Sequence, residues 1–233
     1  LETSVHPLVY AEFVGPADAP TVLFYGHYDV QPPEPLDEWL SPPFEPTIRD
    51  GRIYARGICD NKGQHFAHIA AVRAWLETTG SLPVNVKFVL EGEEETGSPH
   101  IGEIVKKHRD LLAADLVVTS DGPSIVQDRP AITYGVRGVI SFELVAKGAI
   151  SDLHSGNWGG VAPNPAWKLV HLLSTMLSPE NEPLIEGFLD NVRPMPEASR
   201  RAIDALPVTK EEMLASIGLT ELPPPHDVPI FDR

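Results

Sequence analysis

The 233-residue chain contains one cysteine, Cys59. No internal disulfide can form, and a Cys-rich zinc site is excluded. Such usage fits a reducing compartment, so the cytoplasm is the expected location. Positive charge is also scarce: 18 Lys and Arg stand against 33 Asp and Glu, a formal net charge of −15. A surface that acidic repels phosphate backbones and attracts metal cations, so no nucleic-acid partner is expected. No apolar run approaches the ~20 residues of a membrane span, and no membrane association is expected. The opening LETSVHPLVY has neither the basic nor the apolar segment of a signal peptide, nor an initiating Met, so a processed, trimmed or partial chain is one expectation. HExxH, Gly-x-Ser-x-Gly and P-loop patterns are missing, which leaves zincin, serine-hydrolase and nucleotide-enzyme readings unsupported. Cys59 has no His–acid partners arranged for thiol catalysis and reads as a small packing residue.

What is present suffices for a core: hydrophobic residues make up 42%, which argues against wholesale disorder. The 24 prolines cluster in Gln31–Pro46 and Leu222–Pro229, read as rigid irregular loops. Between them the first half alternates strand and helix patterns. Thr21–Tyr25 and Val84–Leu90 read as strands, as does Asp115–Thr119. Lys62–Thr79 reads as a helix with Phe66, Ile69, Ala70, Val72 and Leu76 at helical spacing and Gly80 at its stop. Ile101–His108 reads as another helix. Strands separated by helices predict an α/β fold with a mostly parallel sheet and flanking helices. In the second half Val139–Ala146 alternates like a half-exposed strand. Pro165–Leu177 reads as a helix, and Thr209–Glu212 as a capping box opening a last helix. The expected division falls near Gly135–Gly138, giving domains 1–135 and 136–233.

Chemistry concentrates where the first-half strands end. TVLFY is followed by Gly26-His27-Tyr28-Asp29, VNVKFVL by Glu91-Gly92-Glu93-Glu94-Glu95, and DLVVT by Ser120-Asp121-Gly122. Ligand sites in open α/β sheets lie at the carboxyl ends of the strands. Three strand ends therefore deliver His, Glu and Asp to one edge, and Asp60, ahead of the long helix, can join them. One His with several carboxylates suits Zn, Mn or Co better than copper or an iron–sulfur cluster. Two divalent ions ~3.5–4 Å apart need a bridging carboxylate, and they lower the pKa of the water between them from ~15.7 towards ~7. Adjacent glutamates can divide the work, one binding metal and its neighbour facing the water. Asp29, two residues past His27, can accept the imidazole's other N–H.

Blander readings compete with this one. A lone His or Asp after a strand is usually a solvated loop residue, and Glu91–Glu95 alone could be an acidic turn. Three such endings on successive strands are harder to attribute to chance, because clustered carboxylates without cations repel. His65 and His68, at i and i+3 on the predicted helix, resemble half of a zinc site. Without HExxH they are read as non-ligands, with His68 packing and His65 near the helix start.

Taken together, GHYDVQP, RDGRIYARGICDNKG, EGEEETGS and VVTSDGP resemble the M20 metallopeptidases. Trp39 and DLHSGNWGG point to the dipeptidase branch that includes carnosinases. The resemblance runs from about Val9 to about Leu177. It implies a zinc-exopeptidase-like catalytic domain followed by an α+β lid and dimerisation domain. It implies two divalent metal ions, zinc first, with Mn or Co as alternatives. His27 and Asp121 would bind one ion, Glu95 the other, and Asp60 would bridge them. Glu94 would be the general base, and Asp29 would orient His27. The Asp60–Asn61 peptide is expected to be cis. His154, otherwise a loop histidine capped by Asp152, would stabilise the oxyanion in a partner subunit's active site of a homodimer. The implied activity is hydrolysis of dipeptides or short peptides. The alternatives are an N-acyl amino acid deacylase or carboxypeptidase on the same scaffold, or an inactive truncated relative that binds metal. The family's last metal-binding histidine has no counterpart, since neither His171 nor His226 matches it, so a fragment is expected.

Overall fold

The computed structural model describes residues 1–122, 132–133, 136 and 138–226. The chain divides into two compact units, Leu1–Arg129 and Pro130–Arg233. Of the residues around the expected division, Gly135 and Arg137 lie outside the described set.

The first unit is built on a four-stranded sheet. In chain order its elements begin with β1 (Val9–Phe13), β2 (Thr21–His27) and a small antiparallel hairpin of β3 (Thr47–Arg49) and β4 (Arg52–Tyr54). The long helix α1 (Gly63–Thr79), β5 (Asn85–Glu91), α2 (Ile101–Lys107) and β6 (Leu116–Thr119) follow. The sheet order is β1-β5-β2-β6. β2 pairs in parallel with both neighbours, and β1 closes one edge antiparallel to β5. The expected strands and helices of this half therefore form, and the central sheet is mostly parallel.

Burial explains the order. β5 is central, with Val86, Phe88 and Val89 buried, and α1 covers it through Val72 and Leu76. On the opposite face Leu8, Leu23, Val89 and Ile104 make a second cluster with α2. α1 stops where expected: Gly80 adopts φ +75°, and its N–H reaches the Leu76 carbonyl at 2.9 Å. An αL residue just past the last turn satisfies an otherwise orphaned carbonyl. Three of the five apolar residues at helical spacing on α1 are exposed: Phe66 at 65%, Ile69 at 40%, and Ala70. Helical spacing records a stripe, but not how much of it the sheet covers.

The described part of the second unit is helical: α3 (Ser155–Trp158), α4 (Pro165–Leu173), α5 (Glu197–Asp204) and α6 (Lys210–Ser216). α6 opens on the expected capping box, with Thr209 accepting from the Glu212 N–H and Glu212 accepting from the Thr209 N–H. α4 stops at Leu173, short of the expected Leu177; residues beyond it form turns and an isolated bridge from Leu177 to Pro183. The strand expected at Val139–Ala146 does not form. Alternation marks a strand only when a neighbour supplies hydrogen bonds, and among the described residues none pairs with it. Of its apolar members Val139, Ile140, Phe142 and Val145 are exposed, and Leu144 and Ala146 are half-buried.

Candidate metal centre

The parallel register brings the strand ends together. His27, the last residue of β2, pairs with Glu91, the last of β5. β6 runs alongside β2 as far as the pair Tyr25–Thr119, so Asp121 projects two residues past the ladder. Between β4 and α1 the chain makes a wide turn, Lys62 N–H to Gly57 O at 3.0 Å, interrupted at Asp60 by an extended backbone (φ −148°, ψ 92°). The Asp60–Asn61 peptide is cis, as the resemblance implies. This turn aims Asp60 at the end of β2.

His27 is the hub, and its side chain is fully buried. Its Nε2 lies 2.9 Å from Asp60 Oδ1, 3.4 Å from Asp121 Oδ2 and 4.0 Å from Glu94 Oε2. One ligand atom each from His27, Asp60 and Asp121 all fall within 4.8 Å of one another. Donors held ~2.0–2.2 Å from a tetrahedral ion sit about 3.4 Å apart, so this spacing fits a divalent cation. The donor set, one imidazole and two carboxylates, fits zinc or manganese as well.

The opposite edge of the imidazole is also held. His27 Nδ1 lies 3.1 Å from the Asp29 carbonyl and 3.3 Å from its carboxylate. With the proton on Nδ1, the Nε2 lone pair faces the two acids, the tautomer a metal ligand requires. The Asp29 carboxylate does more than this. It accepts the N–H of Glu94 at 3.3 Å and of Glu95 at 3.0 Å. One side chain thus fixes both the histidine and the glutamate turn.

Glu94 and Glu95 open a short 3₁₀ turn, Glu94–Thr96, past β5. Their side chains part company. Glu94 stays near His27, whereas Glu95 is gripped by Gln31 through the backbone N–H (3.1 Å) and the side-chain amide (2.7 Å). Glu95 is not a member of the compact His27–Asp60–Asp121 group. His154 belongs to the second unit, where it caps α3 and its Nδ1 accepts the Gly156 N–H at 3.1 Å.

Protonation equilibria register the crowding. Burial pushes the Glu94 carboxyl up, as do Asp121, Glu95 and Asp60, against the opposing pull of His27. Burial and the Asp60 and Glu95 charges raise Asp121 in the same way. Burial pulls His27 down, but the Asp29 carbonyl and the surrounding acids outweigh it and leave its pKa raised. An imidazole among carboxylates needs either a proton or a cation in their midst.

Three supporting residues carry no sequence signal of their own. Asn61 is 1% exposed, and its Oδ1 accepts the His27 backbone N–H at 3.2 Å. A Cβ at Gly26 would stand 2.6 Å from that same oxygen, which is why the residue before His27 is glycine. Gln31 meets Glu95 through a tertiary contact, and Ser120, next to Asp121, meets His68 of α1 in the same way. Their adjacency to the strand-end motifs was the one available hint.

The model of peptidase family M20/M25/M40 matches residues 23–222. The chain belongs to the M20 peptidase family. The human Beta-Ala-His dipeptidase is 40% identical over 210 residues, 89% of this chain and 41% of that protein. The Cys-Gly metallodipeptidase dug1 of Schizosaccharomyces pombe is 34% identical, covering 91% of this chain and 45% of the relative. Among solved structures, the M20 family metallo-carboxypeptidase Sso-CP2 from Sulfolobus solfataricus superposes with a TM-score of 0.79 at 37% identity, over 95% of this chain and 50% of that one. This M20 chain therefore spans about half the length of the relatives it matches.

Proposed function

We propose that this M20 chain carries the metal-binding part of a dipeptidase active site, acting on dipeptides or short peptides. The observation that carries the reading is His27 Nε2 facing Asp60 and Asp121, with the Glu94 carboxylate beside them but outside the compact group. His27, Asp60 and Asp121 would hold a divalent ion, zinc first, with manganese or cobalt also suited. Glu95, held ready by Gln31, would serve a second ion, with Asp60 between the two. When bound, the metal supplies Lewis-acid chemistry: it polarises the scissile carbonyl and lowers the pKa of water.

The chain's own residues do the rest. Glu94 Oε2 takes the proton of the attacking water and later hands it to the departing amine. Burial and neighbouring acids hold its pKa above the ordinary carboxylate value, closer to the operating pH where a base works best. Asp29 keeps the Nδ1 proton of His27 in place and fixes the Glu94 and Glu95 amides relative to it. His154 accepts at Nδ1, which leaves its proton on Nε2 as an outward donor. Such a donor suits the oxyanion of a tetrahedral intermediate in a partner subunit. The reading thus assigns catalysis to the first unit and a lid and dimerisation role to the second. Cys59, in the first unit, is free and exposed rather than the packing residue expected from the sequence; a free thiol fits a reducing cytoplasm, and no helix among the described residues is long and apolar enough to cross a membrane.

Glu94→Gln tests the role of the base. Metal binding is expected to survive while dipeptide hydrolysis falls by ~10²–10⁴-fold, assayed on the chain and on the longest natural polypeptide containing it. Undiminished hydrolysis would remove Glu94 from its role. The likeness to a metallo-carboxypeptidase favours a second reading, a carboxypeptidase on the same scaffold, beside which an N-acyl amino acid deacylase stands as the related alternative. A panel of dipeptides against N-acyl amino acids separates the two.

A further inference from the structure

Asp121 has an unusual mechanical problem. β6 is an edge strand with Leu116 and Val117 exposed, and its ladder to β2 ends at Thr119. Ser120 and Asp121 therefore run on without backbone pairing to β2. Among the described residues, two polar side-chain contacts hold this stretch. One is the approach of Asp121 to His27. The other comes from α1, where His68 Nε2 lies 2.7 Å from Ser120 Oγ.

His68 is itself packed against the sheet. Its ring stacks on Phe24 of β2 at 4.4 Å between centroids, and Phe24 stacks on the buried Phe88 of β5 at 5.2 Å. A continuous column thus runs from the core through Phe88, Phe24 and His68 to Ser120, the residue next to Asp121. Phe24 also lies three residues before His27 on the same strand. The column therefore refers the position of Asp121 to the strand that presents its co-ligand. Burial holds the His68 pKa down, so a neutral ring fits this neutral hydrogen bond.

We infer that His68 is a positioning residue: through Ser120 it pins the segment after β6 and holds Asp121 at the separation from His27 that a cation requires. This rests on the reading of Asp121 as a metal ligand. Partners that orient metal ligands typically contribute 10–100-fold in affinity.

The test uses the whole chain with His68→Phe, which keeps a ring over Phe24 but removes the hydrogen bond, with Ser120→Ala, and with both. His68→Gln, whose amide can occupy the place of Nε2, serves as the conservative rescue. Two quantities are read: Zn²⁺ affinity by calorimetry, and amide exchange of the peptide spanning Ser120–Asp121 in the metal-free chain. His68→Phe and Ser120→Ala should each weaken Zn²⁺ about 10-fold and speed exchange at Ser120–Asp121. The double variant should be no worse than either single one, and His68→Gln should recover most of the affinity. Unchanged exchange and affinity in both single variants, or additive losses in the double, would overturn the inference. Faster exchange with affinity untouched, together with normal Zn²⁺ binding by Asp121→Ala, would support the tether and refute the metal reading of Asp121 instead.

Discussion

Asp29 meets three partners with one carboxylate: the His27 ring and the N–H groups of Glu94 and Glu95. An amide in its place keeps one acceptor oxygen and brings donors that the two N–H groups repel. Asp29→Asn is therefore expected to lower metal affinity by ~10–100-fold, read by competition with a chromogenic chelator. The ionisable residues also predict a pH dependence. Glu94, Asp121 and His27 all have raised pKa values in the folded, metal-free chain. The folded state then binds more protons than the unfolded one, so stability falls as pH rises. The window opens near the ordinary carboxylate values, 4.5 for Glu94 and 3.8 for Asp121, and runs upward past the 6.5 of an ordinary histidine. Melting temperatures across that range should decline more steeply for the metal-free parent than for Glu94→Gln, and saturating Zn²⁺ should flatten the decline. At this scale the sequence was largely legible. His27, Asp60 and Asp121 could be found because each sits in a Gly-flanked motif at or beside a strand end, and the sheet topology gathers strand ends. Asn61, Gln31 and the His68–Ser120 pair were not, because a hydrogen bond between residues 52 positions apart leaves no local pattern.

Among the elements, β5 carries the core and α6 depends on its cap. Phe88 is buried between Phe24 and α1, and Phe88→Ala should cost about 3–5 kcal/mol, measured by urea unfolding of the first unit. Removing the Thr209 cap with Thr209→Ala should cost about 1 kcal/mol and act on the second unit alone. Short apolar runs bounded by turn residues announced the interior strands β2 and β5 and also the edge strand β6, whose Leu116 and Val117 stay exposed. Val139–Ala146 looked just as convincing and did not pair. Alternation describes one strand's two faces, whereas a sheet also needs the neighbour, and that information lies elsewhere in the chain. The helix α4 was overextended for a related reason: apolar spacing persists through Leu177, but the Leu184 N–H bonds the Met176 carbonyl and turns the chain away.

At the level of the whole molecule, the division into two compact units predicts two unfolding transitions. The proposed metal ligands His27, Asp60 and Asp121 lie in the first unit. Chelation should lower only that unit's midpoint, and differential scanning calorimetry with and without EDTA reads this directly. A net charge of −15 raises the local concentration of cations around the molecule, so metal association should slow as salt increases. The central claim is that His27, Asp60 and Asp121 together hold a divalent cation. Calorimetric titration of the chain with Zn²⁺, beside His27→Ala and Asp60→Ala, tests it most directly. The account predicts at least one tightly bound equivalent in the parent that both variants lose. Equal binding by the parent and both variants would contradict it.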